Sequence, residues 1–380
     1  MHNNIDEVIS RVAAKLRRTV PEAAKSYHVP YGSRDGKWIE SPWNLGNSWW
    51  TAGFWPGMMW LMNALAPDDV FRNEALRTTE LMTEEFRVYR HLNHDVGFMY
   101  LLSCGAKHKL EGDEQSKWDT LHAASLLMGR FNPTSTPRAG FIKSWDGREQ
   151  LGYAIIDCMM NLSLLYWATR ETKDPRFEKI AHRHTQTTIR EFLREDGSSC
   201  HICIFDPETG KVVHRPAGQG YCEGSSWSRG QAWALYGFTL SAINSGREEY
   251  LNVARKCAKY FISHIREDGL TDSDFCQPEG EERIDNIAGA CAACGLLELA
   301  ELVGGEEGQM YRGAAMKMLR ALHELCADYG DVKTGVLQKC TASYHDDGAG
   351  RHVNILYGDY FFVEALCKLR GTDAKLWTAQ

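Results

Sequence analysis

The chain lacks an uninterrupted apolar run approaching the roughly 18 residues of a membrane span, and its opening "MHNNIDEVISRVAAKLRRTV" has no apolar signal core. No membrane partner is therefore expected, and the chain reads as cytoplasmic. It also lacks any local run of Lys and Arg, and with 43 basic against 50 acidic residues its net charge is −7. That sign disfavours nonspecific attraction to nucleic acid or anionic lipid, so an anionic ligand would need a few placed cations. No Pro/Gly/Ser-rich linker or low-complexity stretch divides the 380 residues, which predicts a single domain over 1–380.

Cysteine is not scarce, but a disulfide framework is. Twelve cysteines in a chain this long, with no signal segment, read as reduced and mostly buried thiols. The two Cys-x-x-Cys spacings, Cys200/Cys203 and Cys291/Cys294, lie too far apart for paired zinc knuckles. The second falls in an Ala-rich helical stretch where such spacing arises easily, so no metal and no cofactor are expected. What stands out as an excess is tryptophan, 12 residues in all. Such an excess means either a very aromatic core or a cleft lined with indoles, as sugar-binding clefts often are.

Helical periodicity dominates, in two kinds. Amphipathic stretches with one charged face cover 5–20, 73–89, 114–131, 175–194, 248–265 and 309–327. Stretches apolar almost all round cover 49–65, 96–106, 152–169, 228–243, 286–302 and 353–369, and helices without a polar face are buried on every side. The two kinds alternate strictly, at a period of roughly 50 to 75 residues. The pattern predicts an all-α fold, an (α/α)6 barrel of six inner and six outer helices; a solenoid of the same helices is the alternative. The one strand-like interruption, 198–216, reads as a hairpin over the barrel mouth. Longer loops rich in Gly, Trp, Asp and Arg enter the inner helices, and a functional site is expected on that face.

Several residues there could carry chemistry. Asp157 reads as lying about two turns inside an apolar helix, where ionisation is costly and a raised pKa suits a general acid; the alternative is an Asp bonded to neighbouring backbone or an Arg. Asp95, in "NHDVGF", lies at a helix start and reads by itself as an N-cap. Both acids open successive inner helices of one mouth, so they can face each other, and paired acids divide into a proton donor and a charged partner. Arg229 sits between Trp227 and Trp233 and can grip a carboxylate beside flat indole faces, or be salt-bridged within the barrel. Trp49, Trp50 and Trp55 precede or open an inner helix, Trp55 reading as core. His94, His201 and His345 are loop histidines.

"WWTAGFWPG", "NHDVGF", "GYAIIDCMMNLSLLYWA" and "SSWSRGQAWALYGF", in this order, together resemble the unsaturated glucuronyl hydrolases of glycoside hydrolase family 88, from about residue 40 to about 370. That family's fold is an (α/α)6 barrel. The resemblance implies a small unsaturated oligosaccharide as substrate, left by polysaccharide lyases and carrying a Δ4,5-unsaturated uronic acid at its non-reducing end. It also implies hydration of the C4=C5 vinyl ether, after which a hemiketal opens and releases the rest of the sugar, with no metal and no covalent intermediate. Asp157 would then be the general acid and base, and Asp95 would hold ring hydroxyls and by its charge keep Asp157 protonated. Trp50, His94, Trp145, His201, Gln219, Arg229 and Trp233 match positions that line the sugar subsites. Tyr344, with Lys339 and Ser343, lies in the late loop 337–350 where members acting on sulfated substrates differ. An unsaturated rhamnogalacturonyl hydrolase acting on pectin fragments, a sugar epimerase using histidines on the same barrel, and a noncatalytic sugar-binding barrel are the rival readings. The chain is expected to act as a monomer or homodimer.

Overall fold

The computed structural model describes residues 5–41, 45–89, 91–136, 139–372 and 374–379; the remainder of the expected 1–380 domain lies outside them. In chain order the elements are α1 (Ile5–Ala23), β1 (Gly32–Arg34), β2 (Lys37–Ile39), α2 (Phe54–Leu65), α3 (Asp69–Val88) and α4 (Val96–Tyr100). A π-helical turn, Leu101–Gly105, carries α4 into α5 (Ala106–Glu111), followed by α6 (Glu114–Gly129), β3 (Phe131–Asn132), β4 (Phe141–Ile142), β5 (Tyr153–Ile155) and α7 (Cys158–Thr172). Then come α8 (Pro175–Glu191), β6 (Ile202–Phe205), β7 (Val212–His214), α9 (Ser228–Ser245), α10 (Glu248–Ser263), α11 (Asn286–Val303), α12 (Gly305–Ala321), β8 (Asn354–Ile355) and α13 (Leu356–Arg370).

The alternation of wet and dry helices becomes two concentric rings. The inner ring runs α2, α4–α5, α7, α9, α11 and α13, each packed on the next, and α13 returns to α2 to close it. The outer helices α3, α8, α10 and α12 each cover the inner helix that precedes or follows them, α6 covers α4 and α7, and α1 lies against α3 and α13. The division follows from side-chain pattern. Every residue of α9 from Ser228 to Ala242 is buried, whereas α8 and α10 bury one stripe and leave Arg and Glu to water. Aspartates stop the chain at the right places: Asp68, Asp113, Asp174 and Asp285 accept from backbone N–H groups in the first turns of α3, α6, α8 and α11.

Three expectations are corrected. Residues 286–303 are, by length and composition, apolar enough to cross a bilayer, contrary to the reading that no such run exists; 83% of that window is buried inside the barrel, where α11 touches neighbours on all sides. The hairpin at 198–216 is joined by a further strand, giving a sheet of order β5-β6-β7, and two smaller sheets, β2-β1-β8 and β3-β4, also form. Finally, the apolar run 152–169 is a helix only from Cys158. Tyr153, Ala154 and Ile155 pair with Ile204, Cys203 and Ile202, because aromatic and β-branched residues suit a pleated, buried strand.

Candidate active site

That last correction moves Asp157. It sits at the N-cap of α7, between β5 and the helix, with helical φ and ψ of −54° and −27° and no side-chain capping bond. Asp95 occupies the same place on α4, again without a side-chain capping bond. Two neighbouring inner helices thus begin with a carboxylate that does not serve its own helix. The side chains are 13% and 9% exposed, so both groups are largely withdrawn from water.

Asn161, one turn along α7 and fully buried, joins them. Its Nδ2 donates to Asp95 Oδ1 at 3.4 Å and to the Asp157 carbonyl at 3.2 Å. A histidine flanks each acid: His94 Nε2 lies 3.4 Å from Asp95 Oδ2, and His201 Nε2 lies 3.8 Å from Asp157 Oδ1. The backbone N–H of Gln219 donates to His201 Nδ1 at 3.0 Å, which leaves the ring proton on Nε2, facing Asp157. Gly218 makes this possible. Its φ is +62°, and a Cβ there would lie 2.1 Å from His201 Nδ1. Asp157 Oδ1 has no hydrogen-bond partner among the described residues.

Burial sets the protonation. It raises Asp157 to about 7, opposed by the charge of Arg229. Burial also pushes Asp95 well above the usual carboxylate range; the charge of Asp157 adds to that shift, while Arg130 and the Asn161 hydrogen bond oppose it. Repulsion between two like charges is mutual, so each carboxylate makes the other harder to ionise. Burial lowers His201 to about 3 and His94 well below its ordinary value, so both imidazoles are neutral at physiological pH.

The remaining expected residues divide into three groups. Trp50 and Trp145 line a cleft of about 280 Å³ together with Trp49, His91, Asn93 and Asp146. Asn93 links it to the acids, since its Oδ1 accepts the Asp95 N–H at 2.8 Å. Gln219 ties the mouth loops together: besides its bond to His201, its Nε2 donates to Ala342 O at 2.6 Å and its carbonyl accepts from Tyr344 N at 2.9 Å.

Arg229, Trp233 and Tyr344 are buried, and for Arg229 the salt bridge within the barrel is the arrangement that forms. Arg229 is buried, with Nη1 on Asp285 Oδ2 at 2.7 Å and Thr341 O at 2.8 Å, and Nη2 on Ala342 O. Its guanidinium also lies over the Trp227 ring. Asp285 neutralises the buried cation, and Nη1 is taken up by it and by Thr341, while Nε has no partner among the described residues. Trp233 is wholly enclosed, packed against Phe98, Tyr357 and Phe361; it supports the floor of the barrel mouth and presents no open face. Tyr344 is buried against Tyr221 and beneath the Arg283 guanidinium, and its backbone N–H bonds Gln219. His345 bonds the Tyr221 carbonyl, outside this cluster.

Sequence reasoning missed Asn161, Asp285 and Gly218. A buried amide one turn after Asp157 was the available signal for Asn161. A cavity of about 530 Å³ lies away from the acids, between α1 and the β1–β2 hairpin, lined by Arg18, His28, Trp38 and Lys333; its size exceeds that of the cleft beside Asn93.

Residues 32–345 match the sequence profile of Glycosyl Hydrolase Family 88. An unsaturated glucuronyl hydrolase of Bacillus sp. (strain GL1) is 36% identical over 340 residues, covering 87% of this chain and 89% of that protein. An unsaturated chondroitin disaccharide hydrolase of Streptococcus pneumoniae (strain ATCC BAA-255 / R6) is 32% identical over 331 residues, covering 85% and 82%. The crystal structure of the Bacillus sp. GL1 unsaturated glucuronyl hydrolase, described as responsible for the degradation of glycosaminoglycan, superposes with a TM-score of 0.89 at 32% identity, covering 100% of both chains.

Proposed function

This chain belongs to glycosyl hydrolase family 88 and is a glycoside hydrolase of the unsaturated glucuronyl type, and from that premise we propose that it removes a Δ4,5-unsaturated glucuronic acid from the non-reducing end of short glycosaminoglycan fragments by hydrating the C4=C5 bond. Asp157 gives its proton to C4, and positive charge develops at C5, where the ring oxygen stabilises it. Water adds at C5 and returns a proton to the Asp157 carboxylate, so the acid is regenerated. The resulting hemiketal opens, C5 becomes a ketone, and the hemiacetal left at C1 releases the shortened sugar. One water is consumed and no bond to the protein forms.

The observation that supports this reading is the state of Asp157: a carboxyl held at about 7, with Oδ1 free of hydrogen-bond partners among the described residues and a neutral histidine alongside. A proton donor working near neutral pH needs that pKa. The His201 Nε2–H steadies the carboxylate once the proton has left, and Asp95 faces the ring hydroxyls. Trp50 and Trp145 offer stacking faces for the adjoining sugar, in a cleft next to the acids. An epimerase would need the histidines to exchange protons; the neutrality of both and the fixed tautomer of His201 count against it.

The test is a panel of lyase-generated chondroitin, hyaluronan and heparin disaccharides and unsaturated pectin fragments, followed by the ultraviolet absorbance of the double bond. Loss of absorbance on the glucuronyl disaccharides supports the proposal and ranks the glycans. Turnover of pectin fragments alone would move the chain to the rhamnogalacturonyl reading.

A further inference from the structure

The two acids share a feature that their position alone does not explain. An Asp at an N-cap ordinarily spends its carboxylate on the N–H of the second or third helical residue. In α4 the third helical N–H is that of Phe98. That N–H goes elsewhere: it donates to Asn161 Oδ1 at 2.7 Å. The capping of α4 is therefore done by an amide on the neighbouring helix, and the Asp95 carboxylate is released from it. The other end of the same amide, Nδ2, donates to Asp95 Oδ1 and to the carbonyl of Asp157.

The contact is built to be close. A Cβ on Gly97 would lie 2.6 Å from Asn161 Oδ1, 2.7 Å from its Cα and 2.8 Å from its carbonyl oxygen, so only glycine allows α4 and α7 to meet at this point. Asn161 itself is fully buried, among the apolar Met159, Met160, Leu162, Leu164 and Leu165 of its helix. A buried amide carries a desolvation cost unless its donors and acceptor are used, and here each bond it makes touches one of the two acid-bearing termini.

We propose that Asn161 is a positioning residue for the reaction: by capping α4 in place of Asp95 and donating to both acid-bearing segments, it sets the separation of Asp95 and Asp157 and keeps Asp95 free for substrate. This rests on the reading of those two residues as the reacting pair. Asn161 acts through them and need not touch the sugar. The groups facing Asp95 are Asp157 and Cys158 from the start of α7, His94 from its own loop and Arg130 from the end of α6; Asn161 supplies the uncharged donor among them.

The decisive variant is Asn161→Asp, which keeps an acceptor for the Phe98 N–H but places a carboxylate where Asp95 now finds a donor. Thermal melting checks its fold, and kcat, KM and the pH profile are read on an unsaturated chondroitin disaccharide alongside Asn161→Ala, Asp95→Asn and Asp157→Asn. We expect kcat to fall about 10- to 100-fold, the cost of misplacing a reacting group by a fraction of its reach, with KM little changed. The alkaline limb should move to higher pH, because an added carboxylate makes the pair hold its proton longer. A purely structural role would lower the melting temperature without moving that limb. Asn161→Asp with parental kcat and pH profile, or one that no longer folds, overturns the proposal. If Asp95→Asn and Asp157→Asn themselves keep full activity, it is the reading of the site that fails; if they abolish activity while Asn161→Asp is parental, this inference alone fails.

Discussion

Arg229 Nη1 lies 2.7 Å from Asp285 Oδ2, and both side chains are at most 1% exposed. The cation whose charge bears on Asp157 is therefore paired with the residue that also caps α11. Its charge still reaches Asp157 and keeps that carboxyl from rising further. Replacing Asp285 by Ala strands a buried guanidinium and removes a cap, and should cost about 3–5 kcal/mol. Urea unfolding measures this; a loss under about 1 kcal/mol, the level of a surface pair, would mean that the pair does not hold the mouth together.

Gly218 and His201 should behave as one unit. Gly218→Ala puts a methyl group where the His201 ring lies and forces a side chain into a left-handed backbone region. Activity should fall about tenfold or more, and the double variant with His201→Ala should be no worse than His201→Ala alone, since the second change finds nothing left to displace. Additive losses in steady-state kinetics would contradict this coupling.

The raised Asp157 carboxyl makes a stability prediction with a definite sign. Its folded pKa, about 7, exceeds its ordinary value of 3.8, so the fold binds its proton more tightly than the unfolded chain does. That contribution is complete below the ordinary value and is lost as pH rises through 7. Asp157→Asn removes the dependence. The variant should melt progressively higher than the parent as pH is raised from 4 to 8, in calorimetry across that window; parallel melting curves at all pH values would refute it.

The same pKa belongs in the kinetics. In the free protein kcat/KM should decline above about pH 7 as one proton leaves the pair. A profile flat from pH 6 to 9 would be incompatible with a carboxyl acid.

Trp145 lines the cleft that Asn93 joins to Asp95. Trp145→Ala should raise KM about tenfold with kcat nearly unchanged, the mark of lost uniform binding. A fall in kcat at constant KM would instead put the indole in the transition state.

The fold was largely legible because burial writes itself into side-chain pattern: helices as apolar as α9 and α11 have no other place than the inner ring. Its details were less so. The strand at Tyr153–Ile155 hid inside a continuous apolar run, since strand and helix start are both largely buried and no change of period marks the boundary; its partner lies about 50 residues away. The acids were visible as charges out of place. What surrounds them was not: the sequence leaves Arg229 between a sugar carboxylate and a salt bridge until Asp285, 56 residues on, is seen against it, and Asn161 reads as one more core position until the Phe98 N–H is followed to its acceptor.

The most direct test of the account is to follow the double-bond absorbance of an unsaturated chondroitin disaccharide with the parent chain and with Asp157→Asn, while titrating the same sugar into each by calorimetry. The account predicts that the variant binds the sugar, melts at or above the parent at pH 8, and loses about 100- to 10,000-fold in kcat. An Asp157→Asn variant that consumes the double bond at the parental rate would contradict it.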